Sequence, residues 1–295
     1  MNSKVALITG GTGYIGSNLA RRLVQEDWDV HLVVRANSSL ELIEDFKKSI
    51  TLHVYDGSTL SLIEILSKST PEIVFHLASL FLAEHQSSDI VRLIESNILY
   101  GTQLLEAMKV NQVTKLINTG TSWQHYQNQD YNPVCLYAAT KQAFESMIDY
   151  YIKAYGFKAI TLKLFDTYGP EDPRPKLFNL LKKVESQDTP LDMSPGEQLI
   201  DLVYIDDVVN AFLTAYLQLR RIQDSTHELY MVSSGNPIKL KDLVSIYEKV
   251  KGVKLKINWG GRPYRSREVM VTWNYGVALP GWRKNVTLEQ GLTQI

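Results

Sequence analysis

The run VALITGGTGYIG, Val5 to Gly16, leaves a chain few ways to fold. Five strand-forming residues lead without a spacer into glycines at positions 10, 11, 13 and 16, and an amphipathic stretch, IGSNLARRLVQE, follows at once. The strand must turn sharply into a helix that packs back against it. Gly11, Gly13 and Gly16 satisfy G-x-G-x-x-G, while Gly10, Gly13 and Gly16 satisfy G-x-x-G-x-x-G. Glycine is needed because a side chain would obstruct the turn, the approach of a pyrophosphate to the main chain and the packing of helix on strand. The helix start then presents free N–H groups and a positive dipole end to the phosphates. A dinucleotide site after the first strand is therefore expected.

The alternation continues. VHLVVR (30–35), ITLHVY (50–55), EIVFHLA (72–78), KLINTG (115–120) and AITLKLF (159–165) read as strands, most of them apolar enough to be buried on both faces, with helical runs such as SLIEILSKS between them. This predicts an α/β fold: a Rossmann doubly wound parallel sheet with helices on both faces. After Phe165 the segment DTYGPEDPRPK is dense in turn residues and charge, and leads into a smaller C-terminal α/β lobe. There DVVNAFLTAYLQL and LKDLVSIYEKV read as helices, ELYMV and KLKIN as strands. The expected division is a dinucleotide-binding domain over 1–170, to which later segments return, and a mainly substrate-binding lobe over 171–295.

Composition narrows the partners. A chain of 295 residues, 44% hydrophobic and 21% charged, can build a large core and a smaller lobe. Its formal net charge of -1 gives no electrostatic footprint for nucleic acid or an anionic membrane, so neither is expected as a partner. The lone Cys135 has no intrachain disulfide partner, no Cys/His cluster has zinc spacing, and no metal is expected. MNSKVALITGG is too short in apolar residues for a signal peptide, and no apolar run reaches the ~20 residues of a membrane span, so a cytoplasmic protein is expected.

The cofactor is readable in part. An acidic residue commonly ends the second strand of this motif and grips the ribose hydroxyls of NAD. Here Arg35 stands there, in VVRANSS, either as a bidentate partner for a 2′-phosphate or as a solvated strand-end arginine. Asn37 and Ser38 can add donors, which favours NADPH over NADH. Asp56, before Gly57 in YDGS, either accepts from the adenine amino group or forms an Asp-Gly turn.

In CLYAATK, Tyr137 and Lys141 lie one helical turn apart. An ammonium beside a phenol favours the phenolate, bringing a group of ordinary pKa near 10 toward working pH, and lets Tyr137 act as general acid or base. The spacing alone also suits two ordinary amphipathic neighbours. Upstream, NTGTSWQHY puts Thr121 and Ser122 at the carboxyl edge of the sheet, where a hydroxyl can share developing negative charge.

Glycine turn, strand-end hydroxyl and Tyr137-x-x-x-Lys141, in that order, resemble the extended short-chain dehydrogenase/reductase family, of the NAD(P)-dependent epimerase/dehydratase type that modifies nucleotide sugars. HLAS (76–79), Asn97, LFDTYGP (164–170) and DLVYIDDVVNAF (201–212) look like landmarks of the same family, so the likeness runs almost end to end. The resemblance implies that Tyr137 donates the proton, Thr121 replaces the catalytic Ser/Thr, and Lys141 acts as electrostatic and ribose-binding partner. Asn97 either supports a water relay from Lys141 or is a capping or solvated helix residue. The cofactor is expected along Gly10, Thr12, Gly13, Tyr14, Ile15 and Gly16, at Arg35, Asn37, Ser38, Asp56 and Gly57, at Leu77, Ala78 and Ser79, at Phe165, and at Tyr137 and Lys141. A homodimer through the two helices flanking the fifth strand is also implied.

Departures from the family pattern narrow the reaction. Its dehydratases follow the strand-end threonine with an acidic pair, but Ser122 and Trp123 stand here and cannot do that work. Among redox reactions, an epimerase keeps its NAD, whereas a reductase consumes cofactor at each turnover; Arg35 and the compact length favour the reductase. Ser122 and Trp123 are expected at the substrate instead. Asp166 replaces a common Asn and would repel diphosphate, leaving it to accept from a sugar hydroxyl; Ile200 replaces a common Arg, which shifts diphosphate binding to Arg262 and Arg265 in GGRPYRSRE. Within the family, TSWQHY, YNPVCLYAATK and GGRPYRSREVM look most like the CDP-abequose synthase type of 4-ketoreductase. The expectation is thus NADPH-dependent reduction of the C4 carbonyl of a nucleotide-linked 4-keto-6-deoxyhexose. The alternatives are an NAD-dependent 4-epimerase and a non-catalytic dinucleotide-sensing regulator, the last disfavoured by the intact Thr/Tyr/Lys set.

Overall fold

The structure is a computed structural model that describes residues 4–185 and 189–295. Its centre is a seven-stranded sheet formed by β1 (Val5–Thr9), β2 (Asp29–Arg35), β3 (Ile50–Tyr55), β4 (Ile73–His76), β5 (Lys115–Thr121), β6 (Lys158–Leu164) and, much later in the chain, His227–Val232. All neighbours pair in parallel, and the His227–Val232 strand lies beyond β6 at one edge. Because β1 pairs with β2 on one side and β4 on the other, the chain reverses direction across β1. That reversal opens a crevice at the carboxyl ends of β1 and β4, where ligands of open α/β sheets bind.

Helices cover both faces. The run α1 (Tyr14–Gln25), α2 (Thr59–Ser69), α3 (Ile90–Ile94), α4 (Tyr100–Val110) and α5 (Leu136–Tyr155) occupies the first half, with a π-turn, Glu95–Leu99, joining α3 to α4. Alternation along β1 shows why two layers are required: Ala6 and Ile8 enter one core and Leu7 the other. The expected strand over 72–78 is shorter in the structure, Ile73–His76, and the chain beyond it stays bonded to the end of β1. Leu77 N–H donates to Thr9 O at 3.1 Å, and Ala78 N–H donates to Thr9 Oγ1 at 3.3 Å.

Beyond β6 the chain leaves the sheet and builds short ribbons. In order come β7 (Asp166–Tyr168), α6 (Leu177–Glu185), β8 (Leu191–Met193), β9 (Leu199–Ile200), β10 (Leu202–Tyr204), α7 (Ile205–Leu219), β11 (the His227–Val232 sheet strand), β12 (Ile238–Lys239), α8 (Leu240–Lys251), β13 (Ile257–Trp259) and α9 (Leu288–Thr293). The pairs β7 with β10, β9 with β12 and β8 with β13 form two-stranded ribbons over the carboxyl side of the sheet. Two buried aspartates fasten them. Asp201 accepts from Ser233 Oγ at 2.5 Å and Ser234 N at 2.8 Å, while Asp207 accepts from Asn285 N and Val286 N at 2.9 and 3.0 Å. Among the described residues no helix is long and apolar enough to cross a membrane.

Candidate active site

The glycine turn is built as its spacing requires. Gly10 adopts φ +72°, and a Cβ there would lie 2.6 Å from Ala78 N, so the loops after β1 and β4 touch main chain to main chain. A Cβ on Gly16 would stand 2.2 Å from Gly10 O, and Gly11 packs against the Leu32 side chain. Gly13 caps α1 with no side chain accepting its N–H groups, which leaves them to a ligand. This cradle, whose close backbone contacts exclude a Cβ at 10 or 16, fits a dinucleotide pyrophosphate.

The turn opens into a cavity of about 250 Å³ lined by Gly10, Gly13, Tyr14, Ile15, Gly16, Leu77 and Ser79 on one side and by Thr121, Ser122, Trp123, Tyr137, Phe165 and Asp166 on the other. Thr121 ends β5, where its Oγ1 accepts from Trp123 N at 3.3 Å and its N–H donates to Gln124 Oε1 at 3.0 Å. Tyr137 enters from the first turn of α5 and packs edge-on against Phe81, ring centroids 5.0 Å apart. Burial pushes its pKa up to about 12, against the pull of the Ser79 hydroxyl.

Lys141 lies one turn further along α5, only 2% exposed, and does not itself line the cavity. Burial lowers its pKa to about 8; the Glu145 carboxylate works to raise it and the Lys163 ammonium to lower it. Beneath it sits a buried polar network that leaves no local signature in the chain. Lys163 Nζ reaches both Glu145 oxygens at 2.7 and 2.8 Å, and Gln124 Nε2 donates to Glu145 Oε1 at 3.0 Å. Through Gln124 the carboxylate on α5 is tied to the Thr121 main chain. Asn97 is buried in the π-turn: its Oδ1 accepts from Leu80 N at 2.7 Å, and its amide protons go to Leu80 O and Thr140 Oγ1 at 3.0 and 2.9 Å. Its side chain thus clamps the loop after β4 to α5.

The residues expected at the adenosine end lie at the carboxyl ends of β2 and β3. Arg35, Asn37, Ser38, Asp56 and Gly57 line neither cavity, and neither do Thr12 in the glycine turn and Ala78 after β4. Arg35 is exposed, and its N–H donates to Ser38 Oγ at 3.0 Å. Asp56 Oδ1 accepts from Ser58 N at 2.8 Å, so one carboxylate oxygen closes the turn into α2 and holds the pKa of the group down.

A second cavity, of about 440 Å³, adjoins the first and shares Phe81, Ser122, Trp123, Phe165, Asp166 and Lys176 with it. Arg262 and Arg265 line its far wall, as does Arg267, which the sequence reading missed. Arg267 stacks over Tyr126 with its guanidinium carbon 4.4 Å from the ring centroid and hydrogen-bonds Asn132. His125 and Trp273 stack at 3.9 Å and 10°, and Trp273 lies parallel to Phe165. These rings give the cavity an apolar floor of the kind a sugar face can rest on. Among the described residues, no group of three or more His, Cys, Asp or Glu is placed to hold a metal ion.

Comparison with known proteins points the same way. The model of the NAD dependent epimerase/dehydratase family matches residues 6–229. The CDP-abequose synthase of Yersinia pseudotuberculosis is 28% identical over 265 residues, 90% of this chain and 90% of that protein. The UDP-glucuronate 4-epimerase of Thermodesulfobacterium geofontis is 26% identical over 97% of this chain and 93% of its own length. Among solved structures, UDP-glucuronic acid 4-epimerase from Bacillus cereus, in complex with UDP-glucuronic acid and NAD, superposes with a TM-score of 0.85 at 24% identity, covering 98% of this chain and 96% of that one.

Proposed function

Because this chain belongs to the NAD dependent epimerase/dehydratase family, we propose that it is a nucleotide-sugar 4-ketoreductase, using NADPH to reduce the C4 carbonyl of a nucleotide-linked 4-keto-6-deoxyhexose. One observation carries this reading: the glycine turn, Thr121 and Tyr137 share a cavity in which Ser122 and Trp123, not carboxylates, come next in line. A dehydratase needs acids at those two places. The likeness to CDP-abequose synthase supports the reductive direction.

The dinucleotide, when bound, supplies a hydride to the carbonyl carbon. Tyr137 supplies the proton: held protonated at neutral pH by burial, it delivers its phenolic hydrogen to the carbonyl oxygen and recovers one from water. Thr121 donates its hydroxyl hydrogen to the same oxygen and shares the charge that builds there. Lys141, still mostly protonated at pH 7, offsets the charge left on Tyr137, and Glu145 holds that ammonium in its charged form. Thr121 is kept in place by Gln124, and Tyr137 by the packing of Phe81.

Arg35, exposed at the end of β2 with Asn37 and Ser38 after it, suits a 2′-phosphate, which is why NADPH is preferred in this reading. Arg35→Asp is expected to shift preference toward NADH, measured as the ratio of kcat/KM for the two cofactors. Arg262 and Arg265 take the diphosphate in the larger cavity. The protein acts in the cytoplasm as a homodimer through the two helices flanking β5, the run α3 to α4 with exposed Ile90, Val91, Ile94 and Val110, and α5 with exposed Met147 and Tyr150.

The second reading is a 4-epimerase, favoured by the UDP-glucuronate 4-epimerase relative. One assay separates the two. In one arm protein is supplied with NADPH and a panel of CDP-, dTDP- and GDP-linked 4-keto-6-deoxy sugars, and absorbance loss is followed with product stereochemistry; in the other it is given UDP-glucose and UDP-glucuronic acid with no added cofactor, and the C4 configuration of the product is read. Stoichiometric NADPH consumption supports the reductase. Interconversion of sugars by protein that retains NAD, without added NADPH, overturns it in favour of the epimerase.

A further inference from the structure

The stretch DTYGPEDPRPK reads from the sequence as a turn-rich connector, yet in the folded chain it forms the partition between the two cavities. Its four charged side chains with ring or ion-pair partners divide into two pairs. Arg174 is held through two of its nitrogens: Nε and Nη2 donate to Asp172 Oδ1 and Oδ2 at 2.7 and 2.6 Å, Nη2 donates to Thr167 O at 2.9 Å, and the guanidinium lies on the Tyr14 ring. It is a structural clasp over the glycine turn.

Asp166 and Lys176 are arranged differently. Lys176 Nζ stands 3.6 Å from Asp166 Oδ1, close enough for attraction and too long for a strong hydrogen bond. The two side chains are 34% and 39% accessible and both line both cavities. The ammonium therefore keeps protons, and the carboxylate lone pairs, that a ligand can use. The residues common to the two cavities are these two, Thr167, Phe165, Ser122, Trp123 and Phe81, with the Lys176 ammonium 5.8 Å from the centre of the Phe81 ring, so a molecule that reaches from Arg262 and Arg265 to Tyr137 runs past the pair. If the anionic part of a nucleotide sugar lies at the arginines and its reacting carbon at Tyr137, the sugar ring and the phosphate bearing it lie here.

We propose that Asp166 and Lys176 are specificity-determining residues acting as one unit on the hexosyl phosphate, an assignment that rests on the nucleotide-sugar reading above: Lys176 Nζ donates to the sugar-bearing phosphate, and the Asp166 carboxylate accepts from a ring hydroxyl. A neutral amide at position 166 can donate to phosphate directly. An aspartate cannot, and repels it, so the cation contributed from the end of the same loop restores the donor and cancels the repulsion. Burial disfavours the charged form of Lys176, and Asp166 works to keep it charged.

The test is calorimetric. Wild type in the presence of NADP⁺ is titrated with CDP-glucose, dTDP-glucose, UDP-glucose and GDP-mannose and with the parent nucleoside diphosphates, and the tightest pair is carried to the variants. Lys176→Met is expected to weaken nucleotide sugar and nucleoside diphosphate alike, by about ten-fold or more, with Lys176→Arg recovering most of the loss. Asp166→Asn is expected to weaken only the nucleotide sugar, by about ten-fold, and to leave the nucleoside diphosphate unchanged or tighter. NADP⁺ affinity and the melting temperature of each variant confirm that the fold and the first cavity are intact. Variants that bind both ligands as wild type does overturn the unit and leave the nucleotide-sugar reading standing. Wild type that binds none of the sugars or diphosphates overturns that reading, and the unit with it.

Discussion

The two ends of the cleft are made of different material. At the glycine turn the binding groups are main-chain N–H dipoles, held by a Gly10 at φ +72° and by contacts between backbones that leave no room for a Cβ. At the far wall they are long cationic side chains, Arg262 and Arg265, borne on a segment with little regular structure. The first kind of site tolerates almost no substitution and recognises a common feature of many ligands. The second tolerates substitution and decides which ligand is taken.

The contrast can be tested from both sides. The largest effect is expected from Gly16→Val. The obstruction at 2.2 Å is Gly10 O, part of the backbone, with no flexible side chain to move aside. NADPH binding, read by fluorescence titration, should vanish and the melting temperature should fall; near-normal affinity would break the main-chain account of the turn. Next comes Tyr137→Phe, which removes the proton and keeps the ring packed on Phe81. A kcat loss of roughly 10²–10⁴-fold with NADPH affinity unchanged is expected, and turnover undiminished in this variant removes Tyr137 from the chemistry.

Arg265→Ala probes the side-chain end. KM for the nucleotide sugar should rise about ten-fold with kcat little altered, the mark of lost uniform binding. A fall in kcat at constant KM would place this arginine with the reacting atoms instead. The smallest effect is in pH dependence. Lys141 titrates near 8, so activity should decline as pH rises through that value and the ammonium is lost. Glu145→Gln, which keeps an acceptor for Lys163, should move the midpoint lower, because the carboxylate raises the lysine's pKa. An unmoved midpoint would assign the decline to another group.

Legibility in the sequence follows the same division. VALIT is visible because a strand buried in a parallel sheet is a nearly continuous apolar run, whereas ITLHVY, partly exposed at the sheet's edge, shows as a β-branched run. Gly10, Gly13 and Gly16, Thr121, and the pair Tyr137 and Lys141 are visible because local spacing fixes their geometry on a turn, a strand end and a helix. Phe81, Lys176, Arg267 and Trp273 carry no such mark, since each is a single side chain on a segment without period. The Gln124, Glu145 and Lys163 network escapes for another reason: its members come from a loop, a helix and a strand that only the folded chain unites. Likewise ELYMV announces a strand, while its place beside β6 is a tertiary choice.

That placement has a consequence for how such a protein can change. The chain departs from the sheet after Leu164 and rejoins it at His227, so Asp166, Lys176 and the rest of the partition lie on a detour pinned at both ends to neighbouring strands, while Arg262 and Arg265 follow on the chain that leaves β11. Cutting the detour out would strip β6 of one partner and bare a row of unpaired amides, an invitation to aggregation. New ligand preferences at the partition therefore have to arise by exchanging residues within a tethered loop of chain, since that part of the cleft cannot be transplanted as a freestanding piece.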